Sequence, residues 1–216
     1  MKKYILFDLD GTLTDPKEGI TTCVQYALAS FGIEEPDLDK LEPFIGPPLK
    51  DSFMKFYDFP EEQASEAIDR YREYYTSGGM FENAVYEGIP QLLQSLKDAG
   101  KILYVATSKP EEFSKQILEH FGLAGYFDYV AGASMDERRV KKGDVIRYLM
   151  DTMGVFDTEQ MVLVGDREHD VLGAKENGID CVGVLFGYGS REELEQAGAY
   201  GIVESVEELK MWLLRE

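Results

Sequence analysis

Asp8-Leu9-Asp10-Gly11-Thr12-Leu13-Thr14 follows directly on the apolar run Tyr4-Ile5-Leu6-Phe7. Two carboxylates so close together repel. At the end of a buried strand neither ionises cheaply without a cation or a proton between them. The glycine that follows frees the backbone to turn close to a ligand. The run itself is continuously apolar rather than alternating, which is the pattern of a strand buried on both faces of a parallel sheet. The stretch therefore reads as a central strand that ends in a ligand site.

Runs of the same kind recur at Ile102–Ala106, Tyr126–Ala131, Met161–Val164, Cys181–Val184 and Gly201–Val203. Between them lie helix-period segments at Ile89–Ala99, Glu111–Phe121, Lys142–Met153, Val171–Asn177 and Val206–Leu214. Asp98-Ala99-Gly100 and Glu176-Asn177-Gly178 supply C-cap chemistry at two helix ends. Strand alternating with helix predicts an α/β parallel-sheet core with helices on both faces.

One region breaks the alternation. From Pro16 to Gly79 the pattern is helical only, with candidates at Glu18–Phe31, Asp37–Leu41, Leu49–Phe56 and Glu61–Ser77. Gly46-Pro47-Pro48 and Gly78-Gly79 punctuate it. The expected organisation is a core of residues 1–15 and 82–216 with a helical insert over 16–81. Phe44, Phe53, Phe56, Tyr57, Phe59, Tyr71, Tyr74 and Tyr75 are expected to fill the insert's own interior.

Acidic residues outnumber basic ones 41 to 22, a net charge of −19. That balance argues against binding nucleic-acid backbone, which needs a basic footprint, and against an anionic membrane surface. Cys23 and Cys181 fit neither a metal spacing nor a disulfide framework. They read as small buried hydrophobes, and a cytoplasmic setting follows. Lys2 and Lys3 precede an apolar stretch too short for a signal peptide, which Asp8 ends. No run approaches the roughly 18 apolar residues of a membrane helix.

Open parallel sheets bind ligands beyond the carboxyl ends of their strands. After the first strand come Asp8, Asp10, Gly11 and Thr12; after the second, Thr107, Ser108 and Lys109. The fourth is followed by Gly165, Asp166, Arg167, Glu168, His169 and Asp170, and the third, several residues on, by Arg138, Arg139, Lys141 and Lys142. Taken singly, Thr107, Ser108, Asp166 and Asp170 also suit helix N-caps. Asp8 and Asp10 together with Asp166 call for a hard divalent ion. Oxygen ligands without a Cys or His cluster favour Mg²⁺ over zinc. Such a site beside a lysine and a hydroxyl suits a phosphate group. One aspartate can then act as nucleophile while a second moves a proton.

These motifs resemble the haloacid dehalogenase superfamily, in its phosphatase branch with a helical cap after the first motif. Asp8-Leu9-Asp10-Gly11-Thr12-Leu13 fits DxDGT. Leu103-Tyr104-Val105-Ala106-Thr107-Ser108 fits an apolar strand ending in Thr or Ser. Gly165-Asp166-Arg167-Glu168-His169-Asp170 fits GDxxxD. The third motif departs from the pattern, because its lysine precedes no proline. Lys142, at the start of the helix, is favoured over Lys141. The resemblance implies a Rossmann-like core and a mobile cap hinged near Thr14–Lys17 and Gly79–Tyr86. It also implies Asp8 as nucleophile and metal ligand, and Asp10 as general acid and base with its backbone carbonyl on the metal. Thr107 and Lys142 would bind the phosphoryl group. Asp166 would complete the metal shell, with Asp170 assisting through water or a hydrogen bond to a ligand. Backbone N–H groups near Leu9, Gly11 and Ser108 would add to the phosphate site, and Lys109 would add local positive charge.

In the cap, Ile45-Gly46-Pro47-Pro48-Leu49-Lys50 either faces the site, with Lys50 on a substrate anion, or simply connects helices. His120 and His169 match no catalytic position. The expected activity is a Mg²⁺-dependent phosphatase on a small phosphorylated metabolite, of the phosphoglycolate or nucleoside 5′-monophosphate class, working as a monomer or homodimer. A β-phosphoglucomutase-like mutase, a pyrophosphatase and a non-catalytic metabolite sensor are the alternatives. A dehalogenase is disfavoured, because water-based dehalogenation does not need the metal site that Asp10 and Asp166 make.

Overall fold

The computed structural model describes residues 1–136 and 138–215. Its strands are β1 (Tyr4–Phe7), β2 (Thr14–Asp15), β3 (Ala84–Val85), β4 (Ile102–Pro110), β5 (Tyr129–Ala133), β6 (Met161–Gly165), β7 (Asp180–Val184) and β8 (Gly201–Val203). Its helices are α1 (Lys17–Ser30), α2 (Leu49–Tyr57), α3 (Glu61–Ser77), α4 (Ile89–Asp98), α5 (Glu111–His120), α6 (Lys142–Met153), α7 (Glu168–Glu176), α8 (Arg191–Ala197) and α9 (Val206–Arg215).

Six strands form one sheet in the order β5-β4-β1-β6-β7-β8, and neighbours pair in parallel. β1 is thus central and apolar throughout, as its sequence requires. Phe7 lies level with Val105 of β4 and Val164 of β6. Asp8, Thr107 and Asp166 therefore leave the sheet at one edge. Leu6, Tyr104, Leu163 and Cys181 point to the face covered by Val145, Ile146 and Leu149 of α6, Val171 of α7 and Leu194 of α8. Successive strand residues alternate between faces. Phe7 accordingly points the other way and meets Phe127 edge-on, ring centroids 6.2 Å apart.

The chain divides into two compact units, one made of residues 1–15 with the chain from Val85 onward, the other Pro16–Ala84. In the second unit a 3₁₀ segment at Leu38–Phe44 joins α1 to α2, and α3 follows. Phe44 meets Phe53 at 5.0 Å, and Phe59 meets Phe31 at 5.1 Å. Phe56, expected inside, is 41% exposed, on the outer side of α2. Among the described residues no helix is long and apolar enough to cross a membrane.

Four local differences from the sequence expectation have physical causes. The strand expected from Tyr126 begins at Tyr129, because Ala124–Tyr126 close a 3₁₀ turn first. α7 begins at Glu168 rather than Val171, since the Asp170 carboxylate accepts the Arg167 N–H and caps the first turn. α8 was not anticipated: Arg191–Ala197 is polar apart from Leu194 and Ala197, which it buries, and Ser190 caps it. β2 and β3 are two residues each, too short to show a period.

Candidate active site

The Asp8 N–H still donates to the Val164 carbonyl at 2.9 Å, so the sheet itself aims its carboxylate. The chain then curls, and the Leu9 carbonyl accepts from the N–H groups of Leu13 (2.9 Å) and Thr14 (3.0 Å). Gly11 permits the curl with φ +80°, and a Cβ there would stand 2.3 Å from Asp166 Oδ2. The Gly11 N–H donates to the Thr14 carbonyl at 2.8 Å and braces the curl. Leu9 is fully buried in this curl.

Lys142 opens α6 and is buried, while Lys141 before it is exposed. Its ammonium lies 2.7 Å from Asp8 Oδ1 and 2.8 Å from Asp170 Oδ1, and donates to the Ala106 carbonyl at 3.0 Å. Gly173 makes room for it, and Gly143 brings α6 close to α7. A Cβ on Gly173 would stand 2.8 Å from the Lys142 side chain, and one on Gly143 would stand 2.0 Å from Glu176 Oε2. Asn177 Nδ2 pins the two helices together by donating to the carbonyls of Gly143 (3.0 Å) and Gly173 (2.9 Å). The neighbouring arginines are engaged elsewhere. Arg138 pairs with Asp136, and Arg139 lies 3.5 Å over the Tyr148 ring.

Asp170 sits in the first turn of α7, where its Oδ2 accepts the Arg167 N–H at 3.0 Å. Asp166 is 1% exposed; its Oδ2 accepts the Tyr188 N–H at 2.8 Å, and its Oδ1 has no hydrogen-bond partner among the described residues. Asp8, Asp166 and Asp170 offer carboxylate oxygens within 4.8 Å of one another. The Asp10 carboxylate is not in that trio: its Oδ2 is 2.5 Å from Lys109 Nζ, and its Oδ1 is buried without a partner. Thr107 is buried, and its hydroxyl accepts the Lys109 N–H at 3.2 Å; Ser108 between them is half-buried. Lys50 belongs to the helical unit, where Glu61 lies 2.8 Å from its ammonium. His120 and His169 are both exposed.

Burial is the main force on these carboxyls. It pushes Asp166 well above the usual carboxylate range, reinforced by the charges of Asp170 and Asp8. It also raises Asp10 against the pull of Lys109, and Asp170 against that of Lys142. Burial works against the Lys142 charge, yet Asp170 and Asp8 outweigh it and hold the ammonium above the usual lysine range. Fully ionised, the four aspartates and two lysines leave two negative charges unbalanced. That surplus, the orphaned oxygens of Asp166 and Asp10 and the all-oxygen donor set fit a hard divalent cation such as Mg²⁺.

The segment Gly187-Tyr188-Gly189 after β7, part of the Gly183–Gly189 stretch that resembles bacterial phosphoglycolate phosphatases and 5′-nucleotidases, packs against the site. A Cβ on Gly187 would stand 2.2 Å from the Gly11 carbonyl oxygen, and one on Gly189 would stand 1.8 Å from that of Asp166. Only glycine lets this loop press so close. The paired glycines after β7 were the signal available. A cavity of about 550 Å³, lined by Tyr86, Leu92, Phe186 and Val206 among others, contains none of the clustered carboxylates.

Residues 5–184 match the family described as haloacid dehalogenase-like hydrolase. A 5′-nucleotidase of Pseudomonas aeruginosa is 52% identical over 190 residues, 88% of this chain and 86% of that protein. The tyrosine-protein kinase PtkA of Mycobacterium tuberculosis is 40% identical over 194 residues, which are 90% of this chain and 66% of that longer protein. The crystal structure of a predicted phosphatase from Clostridium acetobutylicum is 54% identical, covers 100% of both chains and has a TM-score of 0.97.

Proposed function

This chain belongs to the haloacid dehalogenase-like hydrolases and is a phosphatase, and from that premise we propose that it is a Mg²⁺-dependent phosphomonoesterase working through a phosphorylated Asp8. The observation that carries the reading is the Lys142 ammonium, held between Asp8 and Asp170 at 2.7 and 2.8 Å beside an unpartnered Asp166 oxygen. Asp8, Asp166 and the backbone carbonyl of Asp10 would hold the metal, with Asp170 beside them. When bound, it supplies charge neutralisation at phosphate oxygens.

The chain's own residues account for the rest. The Asp8 carboxylate attacks phosphorus, and the ester P–O bond breaks. The departing oxygen takes the proton of Asp10, whose raised pKa keeps that proton available. In the second half Asp10 accepts a proton from water, water oxygen bonds to phosphorus, and the bond from phosphorus to Asp8 breaks to release phosphate. Lys142 and the Thr107 hydroxyl bind the transferring group, with Ser108 and Leu9 offering backbone N–H groups. Lys109 keeps Asp10 oriented between its two tasks.

The substrate class we favour is a small phosphomonoester, phosphoglycolate or a nucleoside 5′-monophosphate. The 52% identity to a protein named 5′-nucleotidase supports the latter. The segment 16–81 serves as a cap that excludes water on closing. The two free cysteines suit a cytoplasmic setting. The test is phosphate release from a panel of phosphoglycolate, nucleoside monophosphates, sugar phosphates and pyrophosphate, with and without Mg²⁺. Turnover of no monoester refutes the reading, and isomer formation from a sugar phosphate without phosphate release replaces it with a mutase.

A further inference from the structure

Tyr188 is engaged at both ends. Its backbone N–H donates to Asp166 Oδ2 at 2.8 Å, and its hydroxyl donates to Asp15 Oδ1. Asp15 ends β2, the strand on which the chain leaves the sheet unit. Tyr86, which follows β3 on the chain's return, donates its N–H to the Leu13 carbonyl at 3.2 Å. The Tyr86 ring also meets Phe186 edge-on at 5.3 Å. The Tyr188 side chain thus holds the outgoing connection at Asp15, while its neighbour Phe186 packs on the returning one at Tyr86.

The backbone of Tyr188 has little freedom to absorb a displacement of its phenol. Gly187 presses on the Gly11 carbonyl and on Asp166 Cβ, and Gly189 presses on the Asp166 carbonyl. A shift of Asp15 that pulls the phenol is therefore passed on to the N–H that aims the Asp166 carboxylate. We propose that Tyr188 is a positioning residue, which couples the geometry of the outgoing connection at Asp15 to divalent-cation binding at Asp166. The proposal rests on the reading of Asp166 as a metal ligand. Groups that orient a metal ligand commonly change metal affinity by about 10–100-fold when removed.

The test uses the full chain and Mn²⁺ as probe, with binding read by titration calorimetry and electron paramagnetic resonance rather than by turnover. Tyr188→Phe removes the hydroxyl and keeps the N–H. Its Mn²⁺ dissociation constant should rise about 10-fold. Asp15→Ala, which reaches the same bond from the other side, should do likewise. The double variant should be no worse than either single one, because the pair acts as a unit. Hydrogen exchange supplies a second readout. Mn²⁺ should slow the amides of Thr14 and Tyr86 in the wild-type chain and leave them unchanged in Tyr188→Phe. Wild-type binding with an unaltered constant in both single variants, or additive losses in the double variant, overturns the coupling alone. A wild-type chain that holds no Mn²⁺ overturns the metal reading, and the coupling with it.

Discussion

Lys142 Nζ stands 2.7 Å from Asp8 Oδ1, with both side chains buried. The ammonium keeps its charge against burial because of the carboxylates beside it, Asp170 and Asp8. The same ammonium reaches Asp170, so its removal strands two carboxylates rather than one.

Lys142→Met should therefore destabilise the fold by about 3–5 kcal/mol at neutral pH. Asp170 already has a raised pKa, foremost from burial, with Lys142 pulling it down. Without the lysine it rises further. A carboxyl raised in the folded state destabilises once ionised, so the deficit should shrink as pH falls through that raised value. Urea denaturation at pH 5 and pH 8 measures it, and an equal deficit at both would refute the account. Asp8→Asn should lower kcat by about 10³-fold or more if Asp8 is the nucleophile, because the attacking group is gone. Surviving phosphate release would exclude that role.

Mg²⁺ should raise the melting temperature, and more at alkaline than at acid pH. Burial pushes Asp166 well above the ordinary carboxylate value, with Asp170 and Asp8 adding to it. In the metal-free protein the site is therefore most stable protonated and loses stability as pH rises. The cation needs the ionised form, so binding releases protons and weakens toward acid pH. At 100 times its dissociation constant, Mg²⁺ stabilises by about 2.7 kcal/mol, or roughly 5–10 °C for a chain of this size. Thermal scans at pH 5.5 and 8.5 test it; a pH-independent shift would mean that no buried carboxyl titrates on binding.

The acidic half of this site was legible because Asp8-Leu9-Asp10 and Asp166 lie where apolar strands stop, and the sheet register then brings them to one edge. Lys142 was legible as the first residue of a helix. The pairings were not. Lys109 meets Asp10 across 99 residues and Tyr188 meets Asp15 across 173, and no local pattern encodes a contact at such separations. Nor was α8 visible, since it buries only Leu194 and Ala197 and presents no apolar stripe. The acceptor of the Gly11 N–H, the Thr14 carbonyl, was hidden for a related reason: it comes within reach only once the chain curls.

Gly187→Ala should destabilise by about 1–3 kcal/mol through overpacking. The added methyl would meet the Gly11 carbonyl at 2.2 Å and Asp166 Cβ at 2.5 Å, neither on a flexible side chain's far end. Gly125→Ala is the control, since a Cβ there meets nothing within 4 Å. Chemical denaturation of both variants checks it. A neutral Gly187→Ala would mean that the loop is free to retreat from Asp166, and the close packing described here would not govern the site.

Lys109→Met should move the pH–rate profile rather than simply lower it. Burial raises the Asp10 carboxyl, and the ammonium of Lys109, 2.5 Å from Oδ2, is the largest force pulling it back down. Replacing that charge by a thioether of similar length leaves burial and the Asp8 charge to act with less opposition, so the Asp10 pKa rises. If Asp10 must be protonated when the leaving oxygen departs, rate falls as pH climbs through its pKa. The alkaline limb of kcat should then shift to higher pH in the variant. The second half-reaction needs Asp10 as a base, so breakdown of phosphorylated Asp8 should slow at neutral pH, seen as accumulation of the phosphorylated chain in a rapid quench. An alkaline limb that stays in place, or moves to lower pH, would assign that limb to another group and remove Asp10 from the acid role.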